Sequence, residues 1–212
     1  QALYNIVDSI FVARVSEEAL TAVSLAFPIQ TLLIAVGAGT GVGVNALLSK
    51  TLGEKNYETA NKTAVNGIFL AFLNFLLFVV IGLTVVKPFY FSQVKTTESD
   101  IYSMGIQYLS IVCICSFGVY AQFIFEKLLQ STGLTFYSML SQLAGAVTNI
   151  VLDPILIFGL FGLPAMGVVG AAVATVIGQC VGAAMAILFN LKRNKELTIS
   201  FKGFWPNGQI IG

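Results

Sequence analysis

The chain has 212 residues, of which 57% are hydrophobic and 10% are charged. Soluble domains carry about 25% charged residues, so this composition excludes an ordinary water-soluble domain and indicates that the bilayer is the solvent. The formal net charge of +1 excludes a strongly basic surface, and we expect no nucleic-acid partner. Three cysteines and no histidine leave few ligands for a transition metal and few groups for acid–base catalysis.

The hydrophobic stretches predict an all-α, polytopic membrane bundle of six transmembrane helices. In chain order they cover residues 1–13, 20–48, 63–87, 102–125, 136–159 and 165–191. Each later segment exceeds the roughly 20 residues that cross the hydrocarbon core, whereas the first is shorter and is expected to be truncated. Because the connections are short, we expect one six-helix lobe over residues 1–192. Residues 193–212 are expected to form a cytoplasmic linker that leads toward a second lobe.

Lysine and arginine are unevenly distributed among the connections. With the amino terminus inside, the inner side holds Lys50, Lys55, Lys62, Lys127, Lys192, Arg193, Lys195 and Lys202, and the outer side holds Arg14, Lys87 and Lys95. This asymmetry agrees with the positive-inside rule, so we expect an integral protein of the plasma (inner) membrane with both ends in the cytoplasm. Tyr90 is expected to lie at the outer membrane interface and Trp205 at the inner one.

Small residues recur at regular intervals in two of the predicted helices. The second helix contains Gly37, Gly39, Gly41 and Gly43, and the sixth contains Gly170, Ala174, Gly178 and Gly182. A nucleotide-binding loop would need a preceding strand or a Gly-Lys-Ser/Thr sequence, and these stretches have neither. They therefore predict close helix packing, because small residues let two backbones approach each other in a membrane.

Two aspartates lie inside hydrophobic segments. Seven of the ten acidic residues fall in connections or ends, and Glu126 lies at the inner end of the fourth segment, where water or Lys127 would satisfy it. Asp8 in "NIVDSIF" and Asp153 in "NIVLDPILIF" remain. A carboxylate deep in a membrane helix costs about 2.5–3.5 kcal/mol on insertion scales. We therefore expect both carboxyl groups to face the protein interior or a wet cavity.

The two aspartates and one threonine hydroxyl group are predicted to lie at similar depths in the membrane. At 1.5 Å per residue, Asp8 and Asp153 both lie roughly 9 Å below the outer ends of their predicted helices, and Thr175 lies roughly 15 Å below the outer end of its own. Asn149 precedes Asp153 by four residues and therefore shares its helix face. Pro154 lacks an amide hydrogen, so it leaves one backbone carbonyl free near the same place.

These groups predict a cation or proton site formed by Asp8, Asn149, Asp153 and Thr175. Carboxylates, an amide oxygen and a hydroxyl are hard oxygen donors, which suit Na⁺ or a proton better than a transition metal. No lysine or arginine is predicted inside the membrane to neutralise the two acids, so they should be protonated or hold a cation. Asp8, Asn149 and Asp153 are the possible Na⁺ ligands. The alternative is that Asn149 and Asp153 only join the fifth helix to its neighbours by hydrogen bonds.

The chain also resembles the multidrug and toxin extrusion (MATE) transporters along essentially its whole length. The resemblance rests on "YNIVDSIFVARVSEEALTAVSLAFPIQTLL", on "GVGVNALLSKTLGEKNYETA" and, most specifically, on "NIVLDPILIFG". It implies twelve helices in two six-helix lobes, of which this chain would be the amino-terminal one. It also implies multidrug efflux by an antiporter, in which cationic or amphipathic organic compounds are exchanged for Na⁺ or H⁺. The family's cation site falls on Asp8, Asn149, Asp153 and Thr175.

The resemblance implies that the partners are small organic cations, membrane lipid and the carboxy-terminal lobe of the same transporter, with no cofactor besides the coupling ion. Two other functions stay open at this point. An exporter of lipid-linked or polyanionic substrates would need cationic residues in its cavity, and the predicted helices carry none well inside. A non-transporting membrane scaffold would not depend on Asp153. An enzyme is not expected, because no nucleophile and base occur at a recognisable spacing.

Overall fold

The protein is an all-helical bundle in a computed structural model that describes residues 2–96 and 99–197, with side chains described from Ile6 onward. The α-helices in these ranges are α1 (Ala2–Val12), α2 (Glu17–Gly53), α3 (Tyr57–Thr84), α4 (Val86–Val94), α5 (Asp100–Ile114), α6 (Phe117–Ser131), α7 (Thr135–Phe158) and α8 (Gly167–Arg193). A single 3₁₀ turn, Leu160–Gly162, lies between α7 and α8. No strand occurs in the described ranges.

The lengths of the helices confirm the predicted membrane bundle. Four helices, α2, α3, α7 and α8, are long and apolar enough to cross a membrane by themselves. Helices α5 and α6 pass the same test as a pair that is bent by 42°. The 11 residues of α1 span about 16 Å, which is shorter than the hydrocarbon core.

Several helix boundaries differ from the prediction. Helix α2 begins at Glu17 because Ser16 caps it, with Ser16 Oγ accepting a hydrogen bond from Ala19 N at 3.0 Å. Asn56 caps α3 in the same way. These caps extend both helices into polar sequence that hydropathy assigns to loops. The predicted outer loop contains α4, and α8 ends at Arg193, while residues 198–212 of the predicted linker, including Trp205, lie outside the described residues.

The predicted fourth helix is broken between α5 and α6, at Cys115 and Ser116. Apolar residues continue on both sides of the break, so hydropathy does not reveal it. The two halves differ in their packing: α5 and α6 both contact α2, and α6 also forms an extensive interface with α8. The most extensive interface in the bundle joins α7 and α8, and α1 packs mainly on α7.

Three tyrosine side chains, those of Tyr90, Tyr108 and Tyr120, are buried inside the bundle. Tyr90, predicted as an interfacial anchor, is fully buried, and its hydroxyl donates to Ala22 O at 2.7 Å. The prediction that Tyr90 anchors the chain in the headgroups was wrong, because α4 turns this ring toward α2. Its depth at the outer interface stays a prediction. Tyr120 is buried in the same way and donates to Leu33 O at 3.1 Å.

The small residues allow close packing at some of the predicted positions. A Cβ atom on Gly37 would lie 2.8 Å from Phe123 Cδ2 of α6, and one on Gly41 would lie 3.0 Å from Lys127 Cγ. In α8, a Cβ on Gly170 would lie 2.7 Å from the backbone of Leu156 in α7. Close helix packing is therefore confirmed for α2 against α6 and for α8 against α7.

Candidate functional site

Five polar side chains meet where α1, α5, α7 and α8 converge. Asp8 comes from α1, Tyr108 from α5, Asn149 and Asp153 from α7, and Thr175 from α8. Each of these side chains is at most 4% exposed. A buried polar group is tolerated when other polar groups satisfy it, so the hydrogen bonds within this cluster decide what it can hold.

Asp8 is the centre of the cluster. Its Oδ2 atom accepts a hydrogen bond from Thr175 Oγ1 at 2.9 Å and another from Tyr108 Oη at 3.1 Å. Asn149 Nδ2 lies 3.4 Å from Oδ1 of the same carboxyl group. A single carboxyl group on α1 is therefore linked to three other helices.

Asn149 connects the two acidic residues. Its Nδ2 atom lies 3.2 Å from Asp153 Oδ1 and 3.4 Å from Thr175 Oγ1, in addition to its contact with Asp8. The carboxyl groups of Asp8 and Asp153 thus both contact one amide nitrogen. Two ionised carboxylates at this separation would repel each other, so the compact arrangement requires a proton or another positive charge.

Two oxygen atoms of the cluster have no hydrogen-bond partner among the described residues. These atoms are Asp153 Oδ2 and Asn149 Oδ1, and both are fully buried. Buried acceptors without a donor are costly, so the presence of two in this cluster favours a ligand that is positively charged or carries a hydrogen. The cluster therefore has the donor chemistry of a site for a proton or a hard monovalent cation.

The surroundings supply no fixed positive charge to this cluster. The ion pair observed among residues 2–96 and 99–197 joins Lys62 to Glu58, at the exposed start of α3. No group of three or more His, Cys, Asp or Glu side chains with the arrangement of a metal site occurs in the described part of the chain. The two buried aspartates must therefore be neutralised by something other than a lysine or arginine of these ranges.

The structure brings together all four residues that the sequence predicts for this site, namely Asp8, Asn149, Asp153 and Thr175. Sequence reasoning missed Tyr108 and Gln30, whose Nε2 atom donates to Tyr108 Oη at 3.0 Å. The sequence feature that could have revealed both residues is a polar side chain inside a hydrophobic segment. The side chain of Asn5, which precedes Asp8 by one turn, lies outside the described residues. The role of the cluster as a coupling site stays a prediction.

The environment of Glu126 differs from the prediction that water or Lys127 satisfies it. Glu126 is only 5% exposed, and its carboxyl group accepts hydrogen bonds from Gln122 and Gln142. Lys127 Nζ instead donates to Gln130 Oε1 at 2.8 Å. The prediction was wrong because α7 and α8 pack on the carboxy-terminal part of α6, which places Glu126 inside the bundle.

The apolar helical bundle defines the class of polytopic membrane proteins. A protein-family model described as MatE matches residues 1–155. The chain therefore belongs to this family, the MATE transporters, whose members are transporters rather than enzymes. Together with its apolar helices, this membership makes the chain an integral membrane protein.

Relatives support the same assignment. The chain is 27% identical to the multidrug export protein MepA of Staphylococcus aureus (strain MRSA252), over 99% of this chain and 45% of MepA. It is 29% identical to the probable multidrug resistance protein NorM of Thermotoga maritima, over 92% of this chain and 42% of NorM. Among solved structures, an inward-facing multidrug resistance MATE family transporter superposes with a TM-score of 0.90 at 28% identity, covering 99% of this chain and 46% of that one. The chain thus spans about half the length of the relatives it matches.

Tyr108 offers a test of the hydrogen-bond network. In Tyr108→Phe, Asp8 loses one donor and Gln30 Nε2 loses its acceptor, and both groups stay buried. Because an unsatisfied buried polar group costs about 1–3 kcal/mol, we expect a clearly lower midpoint of thermal unfolding in detergent. The matched control is Tyr57→Phe, since Tyr57 is 50% exposed and should tolerate the change. Equal midpoints for the two variants would contradict the role of this hydroxyl.

Proposed function

We propose that this chain is the amino-terminal lobe of a secondary antiporter that exports cationic or amphipathic organic compounds in exchange for Na⁺ or H⁺. In this proposal both ends of the lobe are cytoplasmic, the protein resides in the plasma membrane, and a second lobe completes the transport cavity. MepA and NorM carry names that refer to multidrug export and resistance, which supports the same kind of substrate for this chain.

The observation that carries the proposal is the buried cluster around Asp8 and Asp153. Two carboxyl groups lie inside the bundle and contact the same Asn149 amide, and Oδ2 of Asp153 and Oδ1 of Asn149 have no donor among the described residues. A purely structural cluster would be expected to satisfy its own acceptors, since satisfied networks are the rule in protein interiors. The unpaired acceptors favour a site that is loaded and unloaded with a positively charged species.

Loading would act on the helices that carry the two aspartates. With a proton or Na⁺ in place, Asp8 on α1 and Asp153 on α7 can remain in contact. After release, two carboxylates in a medium of low dielectric constant repel each other strongly, which favours separation of α1 from α7. A ligand that binds one arrangement better than the other shifts the equilibrium between them, and this is the basis of ion coupling in such a transporter.

The donor set argues against the two rival functions. An exporter of polyanionic or lipid-linked substrates would be expected to place cationic side chains within the bundle, whereas the buried charged residues in the described part of the chain are Asp8, Asp153 and Glu126. A membrane scaffold would have no use for a loadable acidic pair that joins helices as distant in sequence as α1 and α7.

The test is efflux of a fluorescent organic cation from vesicles that contain the full-length protein. The vesicles are loaded with the fluorescent cation, and its release is followed under an imposed Na⁺ gradient, an imposed pH gradient, or neither. We expect one of the two gradients to accelerate efflux over the vesicles without a gradient, and that gradient identifies the coupling ion. Equal efflux under all three conditions would contradict the antiporter, and protein-free vesicles control for passive leakage.

A further inference from the structure

We infer that Glu126 is a second proton-binding site of this lobe, separate from the Asp8–Asp153 pair. Glu126 lies on α6, its side chain is 5% exposed, and its hydrogen-bond partners come from α6 and α7. It takes no part in the network of Asp8, and the inference does not depend on the coupling role proposed for that network.

The carboxyl group of Glu126 is held in a cage of uncharged donors. Gln122 Nε2 donates to Oε1 and Gln142 Nε2 donates to Oε2, both at 2.8 Å. Two side chains of α7, Ser141 and Gln142, interact with Glu126, and both are uncharged. The charged group that acts on Glu126 is its neighbour on α6, Lys127. No ion pair within 4 Å joins Lys127 to Glu126 in the described residues.

The cage also contains acceptors that a protonated Glu126 needs. Gln122 is 4% exposed, and its Oε1 atom is buried without a partner among the described residues. Ser141 Oγ lies 3.4 Å from Glu126 Oε1, and its own hydrogen is directed to Ser138 O at 2.7 Å. The serine can therefore accept a hydrogen bond from Glu126. The ionised form uses the donors of the cage, and the protonated form would satisfy the unpaired oxygen of Gln122.

The amide of Gln122 packs closely against Gly182 of α8. A Cβ atom on Gly182 of α8 would lie 2.8 Å from Gln122 Cδ and Nε2, so the amide occupies space that this glycine leaves open. Rotation of the amide exchanges its donor and acceptor ends, which is the change that proton binding to Glu126 requires.

The two acidic sites lie along the same face of α7. The buried residues of this helix are Ser138, Ser141, Gly145, Asn149, Asp153 and Ile157, and five of these six are polar or glycine. Ser141, which lies 3.4 Å from Glu126, and Asp153 are twelve positions apart on this face, which corresponds to about 18 Å along the helix. Glu126 and Asp153 are therefore distinct sites near opposite ends of one polar helix face.

The experiment is infrared difference spectroscopy of the full-length protein in lipid, titrated with acid. We expect a protonated-carboxyl band that disappears in Glu126→Gln and persists in Asp153→Asn. In Gln142→Leu the ionised form loses a charge-assisted hydrogen bond and the protonated form loses a weaker one. The midpoint of that band should therefore move upward by roughly one pH unit, which is a tenfold tighter binding of the proton.

Thr148→Val is the matched control, because Thr148 lies on α7 and its hydroxyl donates only to Ala144 O within the described residues. This variant should leave the midpoint unchanged. The inference is overturned if Glu126→Gln leaves every carboxyl band in place across the titration. It is equally overturned if Asp153→Asn removes the same band, because the two carboxyl groups would then form one site. Should Glu126→Gln fail to fold, an unshifted midpoint in Gln142→Leu overturns it as well.

Discussion

Asp153→Asn should abolish gradient-driven efflux by the full-length protein while leaving the fold intact. Asparagine has nearly the same shape as aspartate and can still pair with Asn149, whose Nδ2 lies 3.2 Å from Asp153 Oδ1. It cannot carry a negative charge, so Asp8 no longer has a second carboxyl group with which to share a proton or cation. The coupling ion then binds both arrangements of α1 and α7 equally well. An ion that binds two arrangements equally well cannot shift the equilibrium between them.

The measurement is the initial rate of efflux of a fluorescent organic cation under the gradient that drives the wild-type protein. We expect a fall of at least about 100-fold, to the rate of vesicles without a gradient, which corresponds to the loss of roughly 3 kcal/mol of coupling. Asp100→Asn is the matched control, since it makes the same chemical change at an exposed position at the start of α5. Normal efflux by Asp153→Asn would show that the carboxyl group is structural and would reject the proposed function.

Gly170→Ala should destabilise the lobe more than alanine at Gly37, Gly41 or Gly182, where the new methyl group would meet side chains. The new Cβ atom would lie 2.7 Å from the C and O atoms of Leu156, and these atoms belong to the backbone of α7. A backbone cannot move aside as a flexible side chain can, so α7 and α8 must separate. Overpacking of this kind costs about 1–3 kcal/mol, which exceeds the gain in helix propensity from glycine to alanine.

The effect should extend to the acidic cluster. Gly170 and Thr175 lie on α8, and Leu156 and Asp153 lie on α7, so separating the helices at Gly170 also pulls Thr175 away from the cluster. We expect a lower midpoint of thermal unfolding, measured in detergent by size-exclusion chromatography. Gly43→Ala is the matched control, because a Cβ at Gly43 would have nothing within 4 Å. Equal midpoints for the two alanine variants would contradict the close contact between α7 and α8.

Much of the fold class and the acidic site could be predicted because the bilayer penalises charge so heavily. An aspartate in an apolar segment has few acceptable environments, so Asp8 and Asp153 had to face inward. Helix geometry then placed Asn149 on the same face as Asp153, and the rise per residue brought Thr175 to a similar depth. These arguments need only the sequence and the thickness of the membrane.

Glu126 shows where the same reasoning failed. Its position near the inner end of a predicted helix allowed water or Lys127 as a partner, and depth alone could not decide between these and a buried cage. The decision depended on Gln122 from the same helix, and on Ser141 and Gln142 from α7. No spacing within the sequence indicates that α7 lies beside α6 at this level.

The class of the protein, its long apolar helices and the aspartates of its candidate site were determined by the sequence alone. The tertiary structure decided the break at Cys115 and Ser116, the inward direction of Tyr90 and the membership of Tyr108 in the cluster. The physical reason is that both the lipid and the protein core are apolar, so hydropathy in a membrane helix does not distinguish the buried face from the exposed one. Only the rotation and neighbours of each helix, which follow from packing the whole bundle, determine what its uncharged polar side chains meet.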